Sequence, residues 1–173
     1  MRLFKHLKTA LVAVAALICT AATAQEVKPE TFNFAKMASL QNGAWTIDQK
    51  LDGVSINRRR SGLILTLATA DGKKSPEYSV CSNSKDEDIN AVCLLVGNTL
   101  SIKAEKNKIA KVQLYYTTRS KAAYGKNYEM TEGTYPGDKQ YTYLWTGSTQ
   151  EFRLKNTGNK GGMEIHKIVV TCE

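Results

Sequence analysis

The chain has 173 residues, 42% of them hydrophobic, with a formal net charge of +8. That length fits one domain with a respectable core. Charges of both signs are mixed along the chain, which excludes a dedicated nucleic-acid tail, and the only tight basic block is Arg58-Arg59-Arg60.

The first residues, MRLFKHLKTALVAVAALICTAATAQ, set Arg2, Lys5 and Lys8 ahead of an apolar run that ends in Ala22-Thr23-Ala24. This organisation predicts a secretory signal peptide over 1–24, cleaved after Ala24. Lipid attachment at Cys19 would need small residues just before it, and Ile18 stands there. No later stretch is apolar enough to cross a bilayer. The expected product is a soluble, exported, monomeric single domain over 25–173, periplasmic, at the cell surface or extracellular. Three of the 24 basic residues and none of the 16 acids fall in the signal, so 21 basic residues remain.

After a polar lead-in, EVKPETFNFAKMAS, the chain runs through short segments rich in Val, Ile, Leu, Thr and Tyr, divided by glycine-containing turns. This is the all-β signal. GVSINRR sets Val54 and Ile56 on one face, and LILTLATA does the same with Leu63, Leu65 and Leu67 before the Asp71-Gly72 turn. The next segment, SKDEDINAVCLLVG, reads two ways. Ser84 and Glu87 occupy capping-box positions, with Ile89, Val92, Cys93 and Val96 at helical spacing. Against a helix, Val92, Leu94 and Val96 alternate into Gly97-Asn98, a hairpin signal, so a loop leading into a strand is preferred.

From Gly97 the chain echoes itself. GNTLSIKAEKNKIAKVQLYY carries Leu100 and Ile102, a Lys/Asn loop, then Ile109, Val112, Leu114 and Tyr116. GSTQEFRLKNTGNKGGMEIHKIVVTC carries a turn at Gly147, Phe152 and Leu154, a Gly/Asn/Lys loop, then Ile165, Ile168, Val170 and Cys172. In each copy one residue of phase slip follows the first isoleucine, and three steps of a period-two strand reverse the side. A β-bulge beside Ala110-Lys111 and another beside His166-Lys167 would restore a common face. The predicted fold is all-β: an antiparallel, jelly-roll-like β-sandwich of roughly eight to ten strands with two similar hairpins in its C-terminal half.

The order of marks along the chain resembles small secreted β-sandwich, jelly-roll-like modules of Gram-negative bacteria, found alone or appended to exported nucleases and glycan-handling proteins. The marks are Pro76 and Tyr78, the Gly97 to Thr99 turn, the strand at Ile109, Gly133 and Tyr135, Trp145-Thr146-Gly147, and the closing strand at Ile165. The resemblance implies a non-catalytic, galactose-binding-like or carbohydrate-binding-like domain.

Chemistry is sparse after the signal. His166 is the single histidine there, and no His-Glu-x-x-His, Gly-x-Ser-x-Gly, Cys-x-x-Cys or P-loop pattern occurs. No enzyme activity, cofactor or metal is expected; Asp86, Glu87 and Asp88 read as a solvated loop, and Glu129 and Glu132 as surface charges. Cys81 and Cys93 bracket a polar segment that a disulfide would close, leaving Cys172 as a small buried residue. The best case for binding lies in the aromatics, because a tyrosine face stacks on the apolar face of a pyranose while neighbouring polar groups read its hydroxyls. Tyr124, Tyr128, Tyr135 and Trp145 are the candidate stacking residues, with Asn127 and Asp138 as hydroxyl partners. Trp145 also reads as a structural cover at the sandwich end, alternating with Tyr141 and Tyr143. A glycan is the expected partner. A surface protein held by the same loops is one alternative; the other is a polyanion, nucleic acid not expected, bound through Arg58, Arg59, Arg60 and the lysines of the Lys106 to Lys111 loop.

Overall fold

The computed structural model describes residues 28–39, 45–82, 87–117, 128–134, 141–159 and 161–173. The signal peptide expected over 1–24 lies outside the described residues. Within them, no helix is long and apolar enough to cross a membrane.

Two antiparallel sheets pack face to face. One runs β4 (Glu77–Ser82), β5 (Asp88–Leu95), β11 (Gly162–Cys172), β7 (Ile109–Tyr116), β9 (Thr142–Thr149), with β1 (Glu30–Asn33) also paired to β11. The other runs β2 (Ser55–Arg58), β3 (Leu63–Ala68), β6 (Thr99–Ala104), β10 (Glu151–Asn156), β8 (Tyr128–Met130). The short β1 and β8 take the number of strands among the described residues to 11, above the range expected.

Alternation explains which side chains fill the space between the sheets. Leu63, Leu65 and Leu67 point inward from β3, Leu100 and Ile102 from β6, Phe152 and Leu154 from β10, and all are fully buried. Full burial of each such side chain contributes about 1.5–3 kcal/mol. The segment 84–96 resolves in favour of the strand: β5 covers Asp88–Leu95, with Val92 and Leu94 facing the core.

Both predicted bulges are present. On β11 the register against β7 jumps from Ile165↔Tyr116 to Lys167↔Tyr115, leaving His166 as the extra residue. On β7 it jumps from Lys111 to Ile109, leaving Ala110. The slips return Ile109, Val112, Leu114 and Tyr116, and Ile165, Ile168, Val170 and Cys172, to one buried face.

The echo itself is built differently from the hairpins expected. β6 and β7 lie in opposite sheets, as do β10 and β11, so each copy is an arch joining the two layers. Pairing runs between copies: β6 with β10, and β7 with β11. An arch buries the inward faces of its two strands against each other across the sandwich. For the same reason Gly97-Asn98 is a corner between sheets, as is the connection containing Asp71-Gly72. β9 runs straight through Gly147 and changes sheet at Gln150.

The polar lead-in contributes more than its composition suggests. Phe32, Phe34 and Met37 are buried, the last two in a 3₁₀ segment over Phe34–Ser39. Trp45 lies 6.0 Å from Phe34 in a stacked pair and meets Tyr78 edge-on at 5.4 Å. Tyr78 donates its buried hydroxyl to the Phe34 carbonyl at 2.6 Å.

The expected disulfide is absent. Cys81, Cys93 and Cys172 are buried, and none of them forms a disulfide among the described residues. In the β4–β5 hairpin Cys81 stands opposite Ile89 and Cys93 opposite Glu77, four positions apart. Four strand residues span about 13 Å, beyond the separation of about 7 Å that a disulfide bridges. Most of the segment read as a loop to be closed belongs instead to a pair of hydrogen-bonded strands.

Candidate functional site at one end of the sandwich

Strand registers bring to one end of the sandwich the connections 69–76 and 96–98, the described residues of 157–161, and Thr117, Tyr128 and Tyr141, which flank stretches outside the described residues. The pairings Ala68↔Thr99, Leu95↔Gly162, Tyr115↔Thr142 and Tyr128↔Asn156 mark its rim. Four of the residues proposed for stacking or hydroxyl recognition, Tyr124, Asn127, Tyr135 and Asp138, lie outside the described residues.

Trp145 is withdrawn from the ligand-binding set. It is 1% exposed, packs edge-on against Phe152 at 5.3 Å, and donates its indole N–H to the Thr131 carbonyl at 3.0 Å. Gly133 and Gly147 close over the indole so tightly that a Cβ on either would collide with it. The aromatic row to which it belongs is therefore core: Tyr143 is buried as well, and Tyr141 packs against the same cluster. Tyr128 stands at the start of β8, half-buried, with its ring against the core. Its hydroxyl is buried and has no hydrogen-bond partner among the described residues. Burial, then the neighbouring Tyr143 and Cys93, push its phenol far above the ordinary tyrosine range. Tyr116 meets Tyr143 at 5.4 Å and Tyr141 at 6.1 Å, so three tyrosines touch in sequence where the connections 117–127 and 135–141 leave the sheets.

At the same end of the sandwich an open cleft of about 580 Å³ is lined by Leu95, Val96, Gly161, Gly162, Lys73 and Lys74, among others. Val96 is 37% exposed, one of the few large apolar side chains left in water. Two buried asparagines hold the surrounding backbone. Asn98, fully buried, accepts from the Leu95 N–H at 2.8 Å and donates to the carbonyls of Lys74 at 2.7 Å and Thr69 at 3.3 Å. Gly97, at φ 82°, approaches Gly72 so closely that a Cβ there would strike the Gly72 backbone. Asn156, also fully buried, donates to the Leu94 carbonyl at 2.9 Å and accepts from the Gly158 N–H at 3.0 Å. The two corners are joined directly, Gly97 N–H to the Asn156 carbonyl at 2.7 Å and Asn156 N–H to the Asn98 carbonyl at 3.0 Å. Sequence reading missed this arrangement, although the Gly-Asn corner and the Asn-Thr-Gly that follows β10 were its visible signs.

Charge at the cleft is uneven. Lys155 pairs with Asp71 at 2.6 Å, which raises the lysine's pKa and lowers the carboxyl's. Lys73 and Lys74 are exposed, and neither has an ion-pair partner among the described residues.

The opposite end carries the arginine block. Arg58 is engaged with β1: its guanidinium donates to the Thr31 carbonyl at 3.1 Å, lies 3.6 Å from the Glu30 carboxylate, and covers the Phe32 ring at 5.3 Å. Arg59 and Arg60 are exposed in the turn after β2. The Glu105 N–H bonds the Gly62 carbonyl at 2.9 Å, so the turn bearing Arg59 and Arg60 does meet the 105–108 turn bearing Lys106 and Lys108.

Elsewhere the titratable groups are dispersed. His166 occupies its bulge half-buried, 6.2 Å from the Tyr115 ring, and burial followed by the Lys167 charge holds its pKa below the usual value. Lys167 sits 3.8 Å above that same ring. The Cys93 thiol is pushed up to about 12 by burial and then by Glu164, which keeps it protonated and poorly nucleophilic at neutral pH. Glu129 and Glu132 are exposed on and after β8; Glu87 and Asp88 are exposed before and at the start of β5, and Asp86 lies outside the described residues. No group of three or more metal-ligating side chains occurs among the described residues.

No protein-family model matches the chain, and no curated protein matches it.

Proposed function

We propose that this chain is an exported, non-catalytic binding module that takes a glycan at the end of the sandwich where the tyrosine-bearing connections leave the sheets. The observation that carries this reading is the open cleft of about 580 Å³ at that end, backed by Leu95, Val96 and glycine backbone. Sugar sites need an apolar floor against which the ring's C–H face can rest and flexible polar chemistry at the rim. Connections at a sandwich end, positioned by a rigid scaffold, are where such sites are built. The resemblance of residues 97–173 to exported sandwich modules accords with this reading.

The test is binding to a panel of plant, host and bacterial oligosaccharides. Binding that survives high salt and disappears in Tyr124→Ala or Tyr135→Ala is the expected result. A clean negative across the panel, with the protein shown to be folded by its far-UV spectrum, overturns the reading.

A polyanion site on the arginine block has less behind it, because Arg58 already serves Glu30, Thr31 and Phe32.

A further inference from the structure

The cleft has an electrostatic character that neutral-sugar binding does not require. Two lysines and one acid line it. Asp71 is taken up by Lys155, which leaves Lys73 and Lys74 with no counter-charge among the described residues. Adjacent like charges on a surface repel, and solvated lysines ordinarily spread apart on flexible stems. Here the backbone that carries them is fixed. Asn98, wholly buried, ties Lys74's carbonyl and Thr69's carbonyl to the β5–β6 corner, and the close approach of Gly97 to Gly72 leaves no room for the connection to slide. A buried amide with its hydrogen-bonding groups satisfied is costly to build and specifies one geometry. What it specifies is the position of two lysines over an apolar floor of Leu95 and Val96.

Resting on the glycan reading above, we propose that this cleft selects an anionic saccharide, its ring lying against Leu95, Val96 and the Gly161–Gly162 backbone and its carboxylate or sulfate held by Lys73 and Lys74. Ammonium groups suit either anion, since both present compact oxygen acceptors to a point charge. A carboxylate comes from a uronic acid and a sulfate from an ester on a hydroxyl, and the probes below separate them. The apolar floor disfavours a fully hydrated polyanion chain lying flat, which is what the turns at the other end of the molecule would attract.

The experiment measures calorimetric affinity for three oligosaccharides of equal length: an oligogalacturonate, a heparin-derived sulfated fragment and a neutral cello-oligosaccharide. One of the acidic probes should bind about tenfold more tightly than the neutral one, the size of one or two charge-assisted hydrogen bonds. Lys73→Ala with Lys74→Ala should abolish that preference and leave the neutral affinity in place; Lys73→Arg with Lys74→Arg should keep it. Lys106→Ala with Lys108→Ala, at the opposite end, should change neither. An acidic preference that persists in the double alanine variant, or that moves with Lys106 and Lys108, overturns the proposal while leaving glycan binding intact. Equal binding of all three probes does the same. Binding of none overturns both this assignment and the glycan reading on which it rests.

Discussion

The two ends of the sandwich carry comparable positive charge and use it in opposite ways. At one end Lys73 and Lys74 are borne on a connection whose backbone is pinned by a buried asparagine, above an open apolar cleft. At the other, Arg58 is folded down onto β1 while Arg59 and Arg60 extend into water from a turn. The difference teaches that counting basic residues in the sequence locates charge without locating a site. A site needs a concavity and a backbone that cannot relax away from it. In the most basic tripeptide of the chain one guanidinium is already committed to β1, and the other two extend into water from a turn.

The comparison can be broken most decisively at Asn98. Asn98→Ala removes three hydrogen bonds in a fully buried position, taking their side-chain partner from the Leu95 N–H and the Lys74 carbonyl, while the Thr69 carbonyl keeps the Gly72 N–H. We expect a loss of about 3 kcal/mol, or roughly 10 °C in Tm, by denaturant and thermal unfolding. Hydrogen exchange should show faster opening of residues 69–74 in this variant than in the wild type, with the turns at 59–62 and 105–108 unchanged. A variant as stable as the wild type would show that the cleft's backbone is held by something else.

A smaller effect is expected at the other end. Arg58→Ala should cost about 1 kcal/mol, because it uncovers the Phe32 ring and releases a half-exposed ion pair. Arg59→Ala with Arg60→Ala should stay within about 0.5 kcal/mol of the parent, as surface substitutions without packing partners do. If the double variant proved the more destabilising, the contrast drawn between Arg58 and its two neighbours would be wrong.

Much of the fold was legible in advance, and the bulges show why. Ile165 and Ile168 are both apolar and three apart, so period-two geometry forces an extra residue between them; the slip at His166 follows from that alone, as does the one at Ala110. The partners of those strands were not legible. Local pattern says which face of a strand is buried and stays silent about which other strand lies beside it. The echo was consequently read as two hairpins, when each copy arches between sheets and pairs with the other copy. The same silence produced the disulfide expectation: Cys81 and Cys93 bracket a tempting loop in sequence, while the register of β4 on β5 sets them four positions apart. For the candidate site, sequence pointed to the aromatics of the C-terminal half. Trp145 proved to be core, because Gly133 and Gly147, far apart in role on paper, both close over its ring.

Composition and periodicity by themselves determined that this protein is a β-sandwich, which faces of its strands are buried and where two of them bulge, because alternation and phase are properties of a few adjacent residues. Tertiary structure alone decided which strands pair, that the cysteines stay apart, and that Lys73 and Lys74 stand over a cleft rather than on an open surface. Those outcomes depend on contacts between distant residues, such as Asn98 with Thr69 and Asn156 with Leu94, and the free energy of such contacts exists only once the chain has brought them together.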